Sequence, residues 1–155
     1  MGSSEWGTTR RLPAQVVFAD EVHLGGDLHL LARTTYPPGP ETPLEMLNRP
    51  EVFFALTLAD GGVSFIAKAQ VVVVSCHDPL AVPDPDRASV ARDVELVVEL
   101  HGGAEYRGHA IFELPPFRAR ALDYVNGPGD FFALWDDGLT RYINKSFVRL
   151  IRPLD

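Results

Sequence analysis

The chain repeats itself, and that constrains its fold more than any other feature. Displaced by 78 residues, Glu21-Val22-His23-Leu24-Gly25 falls on Glu99-Leu100-His101-Gly102-Gly103, and Pro37-Pro38 on Pro115-Pro116. In the same register Asn48 falls on Asn126, Pro50 on Pro128 and Phe53-Phe54-Ala55-Leu56 on Phe131-Phe132-Ala133-Leu134, making 13 identities in 36 ungapped pairs. At a displacement of 77, Ile66-Ala67-Lys68 then meets Ile143-Asn144-Lys145 and Val71 meets Val148. Self-similarity at a fixed offset marks a duplicated structural unit. A unit of about 60 residues buries only roughly 60% of its unfolded surface, so the two copies are expected to share an interface.

Turn signals divide each copy into short strands. Gly25-Gly26, Asp60-Gly61-Gly62, Gly102-Gly103 and Asp137-Gly138 mark reversals. β-branched and aromatic runs lie between them, from Gln15 to Val22, Val52 to Leu58, Gln70 to Ser75, Val94 to Leu100 and Phe131 to Trp135. Thr42-Pro43-Leu44-Glu45 reads as a capping box with proline at the first helical position, and Asn48 and Pro50 stop the helix after barely two turns. Arg120 to Val125 is the matching turn of the second copy. The expected organisation is a polar arm (1–13), a first unit (14–76), a Pro/Asp linker (77–92) and a second unit (93–155).

Five short strands per unit, with one short helix and the last strand entered through a tight turn, resemble an SH3-like or Sm-like small barrel. The run Asp123-Tyr124-Val125-Asn126, Phe131-Phe132-Ala133-Leu134, Ile143-Asn144-Lys145 is also similar to one carried by an uncharacterised bacterial family. The resemblance implies an all-β chain of two tandem five-stranded barrels and transfers no functional residues.

Charge narrows the partners. The chain carries 14 basic and 21 acidic residues, and both copies are acidic. Neither half offers the basic footprint a phosphate backbone requires, so nucleic acid is disfavoured and an Sm-like RNA binder is the weaker alternative. No apolar run approaches the ~18 residues of a membrane helix, and a cytoplasmic chain is expected. The single Cys76 cannot make an internal disulfide.

Catalytic patterns are sparse. His23, His29, His77, His101 and His109 show no metal-ligand spacing, and no phosphate-binding loop or nucleophile elbow occurs. Cys76-His77-Asp78 spells a triad in order, but neighbours on an extended chain point apart. No enzyme activity, cofactor or metal is expected.

Two features remain. The chain has twelve arginines and two lysines, and Lys68 and Lys145 share one position of the repeat. A lysine offers a compact point charge where arginine offers a planar fork. Its stem can cover a barrel end while its head reaches a carbonyl, or it can meet an acidic partner. In each Phe-Phe pair one ring must leave its own core, and the sister unit or another subunit is the expected cover. The final strand of the first copy, Val71-Val72-Val73-Val74, suits burial on both faces, whereas Arg149-Leu150-Ile151 suits one wet face. The reading is a non-enzymatic scaffold or interaction module that binds another protein or itself as a homo-oligomer. Its expected recognition surface lies on the second copy at Trp135, Arg141, Lys145 and Arg149. A sensor holding a small anion between Lys145, Asn144 and Arg141 is the other alternative.

Overall fold

The computed structural model describes residues 9–34, 39–78, 91–114 and 120–154. In chain order these form β1 (Thr9–Phe18), β2 (His23–Leu31), α1 (Pro43–Leu47), β3 (Phe53–Thr57), β4 (Val63–Ala67) and β5 (Val71–Cys76). The same order follows in β6 (Arg92–Leu100), β7 (Glu105–Phe112), α2 (Ala121–Val125), β8 (Phe131–Asp136), β9 (Leu139–Asn144) and β10 (Val148–Pro153). Short 3-10 turns, Lys68–Gln70 and Lys145–Phe147, lead into β5 and β10.

The protein is all-β. Its strands form one antiparallel sheet in the order β10-β6-β7-β8-β9-β5-β1-β2-β3-β4, and that sheet does not close. One continuous sheet therefore stands where two separate barrels were expected. The halves are welded edge to edge by β5 and β9, with Val73 opposite Ile143, Val74 opposite Tyr142, Ser75 opposite Arg141 and Cys76 opposite Thr140. β5 consequently lies between β1 and β9, and Val71 to Val74 are buried. Among the described residues β10 has a neighbour on one side only, and β4 is the opposite end of the sheet.

Local chemistry sets the elements. The capping box at α1 is complete: Thr42 Oγ1 accepts from the Glu45 amide at 3.2 Å, and the Glu45 carboxylate accepts from the Thr42 amide at 3.3 Å. Asp137 and Gly138 both take positive φ between β8 and β9, as a type I′ hairpin turn requires.

Several expected boundaries move. β1 begins at Thr9 and pairs with β2 from Thr9/Leu31 to Val17/His23, so 9–13 is ladder and not arm. Gly25 and Gly26 lie inside β2 instead of breaking it. A Cβ on Gly26 would sit 2.6 Å from the Thr57 carbonyl oxygen, so glycine here permits close approach of the neighbouring strand. Gly108 of β7 does the same against the Trp135 carbonyl. His77 and Asp78 are part of the folded body; residues 79–90 of the expected linker, Pro37-Pro38 and Pro115-Pro116 lie outside the described residues.

The repeat register also shifts at its start. Phe18 N–H donates to Val22 O, and Leu100 N–H donates to Ala104 O. Ala19 N–H donates to Gln70 O, and His101 N–H to Phe147 O. These bonds align Phe18 with Leu100, so His23 opens β2 while His101 sits in the turn after β6. The two histidines are not equivalent. From α1 and α2 onward the 78- and then 77-residue registers hold.

Two clusters form the interior. One gathers Leu12, Val16, Leu28, Leu30, Met46, Leu47, Phe54, Leu56, Val71 and Val74, together with Phe131, Ala133 and Tyr142 from the second half. The other gathers Leu96, Val98, Ala110, Phe112, Phe132, Leu134 and Ile143, together with Val72 and Val73 from the first. Each core is completed by strands of the other half. Alternation along β8 sends Phe132 into its own core and Phe131 into its neighbour's, both 2% exposed.

Candidate functional site

The weld between the halves is the most heavily built polar region. β8 meets β7 only at Trp135/His109, which leaves peptide groups at its start needing partners. Asn48, the residue capping α1, supplies two: its Oδ1 accepts from Phe131 N–H at 2.9 Å and its Nδ2 donates to Phe131 O at 3.1 Å. Tyr124 Oη accepts from Ala133 N–H at 3.3 Å, and its ring stacks on Phe112. Asn48 ends α1 in a right-handed conformation, with φ −90° and ψ 0°. Its position serves the neighbouring half.

Asn144 ties the other side. Its Nδ2 donates to Val71 O at 2.9 Å and Lys68 O at 3.3 Å, and its Oδ1 accepts from Ser146 N–H at 3.0 Å. Tyr142 and Cys76 lie beside an ion pair between the partly exposed Arg10 and the buried Asp78, at 2.9 Å. Burial pushes the Cys76 thiol up to about 12, and the Asp78 carboxylate adds to the shift while Arg10 and the Tyr142 hydroxyl oppose it. His77 turns away, its Nδ1 3.0 Å from Gly138 O and its ring exposed. Cys76, His77 and Asp78 therefore form no relay.

The four side chains expected to form a recognition surface do not converge. By strand alternation Trp135 and Arg141 point to opposite faces of the sheet. Arg141 bonds Asp136 at 2.9 Å and lies over the Tyr106 ring, 4.8 Å from its centroid. Lys145 Nζ donates to Gly127 O at 2.8 Å. Arg149 bonds Leu100 O at 3.2 Å and Glu99 at 3.3 Å. The residues suggested for an anion site, Lys145, Asn144 and Arg141, are spent on two carbonyl networks and Asp136.

Lys68 mirrors Lys145, its Nζ donating to Met46 O at 3.1 Å and Arg49 O at 3.0 Å. Both ammonium groups cap the chain leaving a short helix. Burial holds both below the ordinary lysine range, with Glu51 acting against it at Lys68 and Asp130 acting against it at both.

Several concave regions are present among the described residues. A cleft of about 660 Å³ spans the halves and includes Asp20, Glu21, His23, His101, Tyr106 and Phe147. A shallower polar groove holds Glu95, Arg107, His109, Asp136 and Arg141, where Arg107 pairs with Glu95 at 2.7 Å and Arg141 with Asp136 at 2.9 Å, and His109 Nδ1 lies 2.7 Å from Asp93 Oδ1. Among the described residues no group of three or more His, Cys, Asp or Glu is placed to hold a metal ion, and no helix is long and apolar enough to cross a membrane.

Exposed apolar side chains collect elsewhere, at the two ends of the sheet. Val63 and Phe65 lie on β4 with Phe53 on the adjoining β3, and Leu150 and Leu154 lie on or just after β10, while Leu122 on α2 and Leu114 after β7 are exposed as well. Phe65 is 77% exposed and Phe53 56%. Val22 faces the same open groove as Phe65. The aromatic pair at 53–54 was legible as one ring too many for a core; the decisive neighbour, Phe65, carries no motif. No family model, curated protein or solved structure matches this chain.

Proposed function

We propose that this chain is a non-enzymatic interaction module of the bacterial cytoplasm, built from two duplicated SH3-like or Sm-like five-stranded units, and that it engages other protein through the open edges of its sheet. One observation carries the reading: Val63 and Phe65 of β4 and Leu150 of β10 are exposed, and among the described residues neither strand has a partner strand on its outer side. An exposed strand edge bordered by apolar side chains is a template for an incoming strand, and contiguous apolar surface marks interaction sites. Shared element order, the matched turn bonds and the paired roles of Lys68 and Lys145 support the duplication.

The test is capture of protein from the native host by the intact chain and by two variants. Phe65→Lys is expected to lose capture with an unchanged melting temperature, since its ring is already in water. The double variant Arg141→Glu/Arg149→Glu is expected to retain capture. The reverse pattern would return the recognition surface to the second half, and equal capture by all three would overturn the edge reading.

A further inference from the structure

The weld shows what fits an open edge. In it a β5-type strand lies antiparallel to a β9-type strand, Asn48 grips the Phe131 backbone, and Phe131, Ala133 and Tyr142 enter the neighbouring core. The shared element order leaves one unused copy of each partner. β10 corresponds to β5 and β4 to β9, and these are the two ends of the sheet.

The contact residues are repeated as well. Asn126 stands where Asn48 does, capping α2, but its side chain is exposed. Phe53 stands where Phe131 does, 56% exposed against 2%, and Phe65 where Tyr142 does, 77% against 2%. Phe53 and Phe65 are therefore the rings that, in the second half, are buried by a neighbour. Charge does not distinguish the two ends, because Arg149 and Arg152 are paired with Glu99 and Glu105, and Glu51 with Arg49.

We infer that the partner of the open edge is a second copy of this chain, with β10 of one copy docking antiparallel on β4 of the next in the register of the internal weld. This rests on the edge-binding reading above and names its partner. The register places Leu150 opposite Ile66, Ile151 opposite Phe65, Arg152 opposite Ser64 and Pro153 opposite Val63. Asn126 then meets the Phe53 backbone. Such a contact is heterologous, so each added copy presents a fresh edge, and the assembly ends as a closed ring or an open chain according to the rotation per joint.

The contact is weaker than the weld for three reasons. Asn144 is replaced by Ala67, and Gly129, packed against Asn48, by Glu51. Leu154 N–H bonds Glu95 O, so alternation points the Pro153 nitrogen outward, where it has no proton to donate. Assembly is accordingly reversible and concentration-dependent.

The experiment is light scattering coupled to gel filtration on the purified chain across a wide concentration range. The expected result is a mass that rises with concentration. Phe65→Lys blocks one end and Asn126→Ala/Leu150→Lys the other, so each variant alone is expected to remain a monomer. Mixed in equal amounts they are expected to give a dimer and nothing larger, because one good end of each remains. A Ser64→Cys chain mixed with an Arg152→Cys chain should form an intermolecular disulfide on mild oxidation, reporting the register. A chain that stays monomeric at every concentration, or a dimer that survives Phe65→Lys, overturns the inference. If the pure chain is monomeric while Phe65-dependent capture of a host protein persists, self-docking fails and the interaction reading stands.

Discussion

Arg10 near the start of β1 and Asp78 just beyond β5 are joined through both oxygens of a carboxylate that is fully buried, with Arg10 Nη1 at 3.3 Å from Oδ1 and Nη2 at 2.9 Å from Oδ2. Arg10 Nη2 also donates to Glu41 O at 2.7 Å, tying the chain before α1 to the same point. Removing Arg10 takes the guanidinium away from a carboxylate that stays fully buried. Arg10→Met is therefore expected to cost about 3 kcal/mol or more, and Arg10→Met/Asp78→Leu distinctly less than the sum of the single changes. Urea unfolding of the four proteins checks this; strict additivity would mean the pair is not coupled.

The four phenylalanines of the two Phe-Phe pairs separate cleanly. Phe54, Phe131 and Phe132 are buried, so truncation to alanine is expected to cost about 3–5 kcal/mol each. Phe53→Ala in a dilute sample is expected to change stability by less than about 0.5 kcal/mol, as at other exposed positions. A large loss at Phe53 under dilute conditions would show that it already has a cover.

Adjacent glycines of β2 give an opposite pair. A Cβ on Gly26 meets the Thr57 backbone oxygen at 2.6 Å and Leu56 Cγ at 2.8 Å, whereas one on Gly25 meets only the end of the Gln15 side chain. Gly26→Ala is expected to cost about 1–3 kcal/mol through overpacking, and Gly25→Ala close to nothing because Gln15 can swing aside. Thermal melts of both variants decide the point.

Cys76 makes a pH-dependent contribution. Its thiol is raised from 9.0 to about 12, so between those values the folded chain keeps a proton that the unfolded chain releases. The stabilisation is complete below pH 9 and declines as pH rises toward 12, with a slope approaching about 1.4 kcal/mol per pH unit. Cys76→Ala is expected to flatten the alkaline limb of a stability–pH curve. Near pH 8 a disulfide reagent should label native Cys76 far more slowly than the unfolded chain, since the thiol is buried and held protonated while the thiolate is the nucleophile.

Local signals were legible where one short stretch carried the chemistry. Thr42 to Glu45, Asp60 to Gly62 and Asp137-Gly138 specify their cap and turns unaided, and the apolar run Val71 to Val74 read correctly as a strand covered on both sides. What escaped was long-range. Gly26 looks like a breaker until Thr57 is known to lie against it. Asn48 looks like a helix stop until Phe131 is placed beside it. The expected recognition residues Trp135, Arg141, Lys145 and Arg149 failed to gather because alternation and local partners, Asp136, Gly127 O and Leu100 O, disperse them. Phe65 carries no signal of its own, because nothing in one strand reveals that its neighbour is missing.

The exchange of core residues between halves has a consequence for synthesis on the ribosome. The first half is complete in sequence at Asp78, yet its interior lacks Phe131, Ala133 and Tyr142. At translation rates of ~5–20 residues per second the interval until Tyr142 is made is roughly 3–13 s. Throughout that time β5 is itself an open edge with valines on both faces. The nascent chain therefore passes through a stage in which a neighbour's β9-type or β4-type strand can take the vacant place, and polysomes bring such neighbours close.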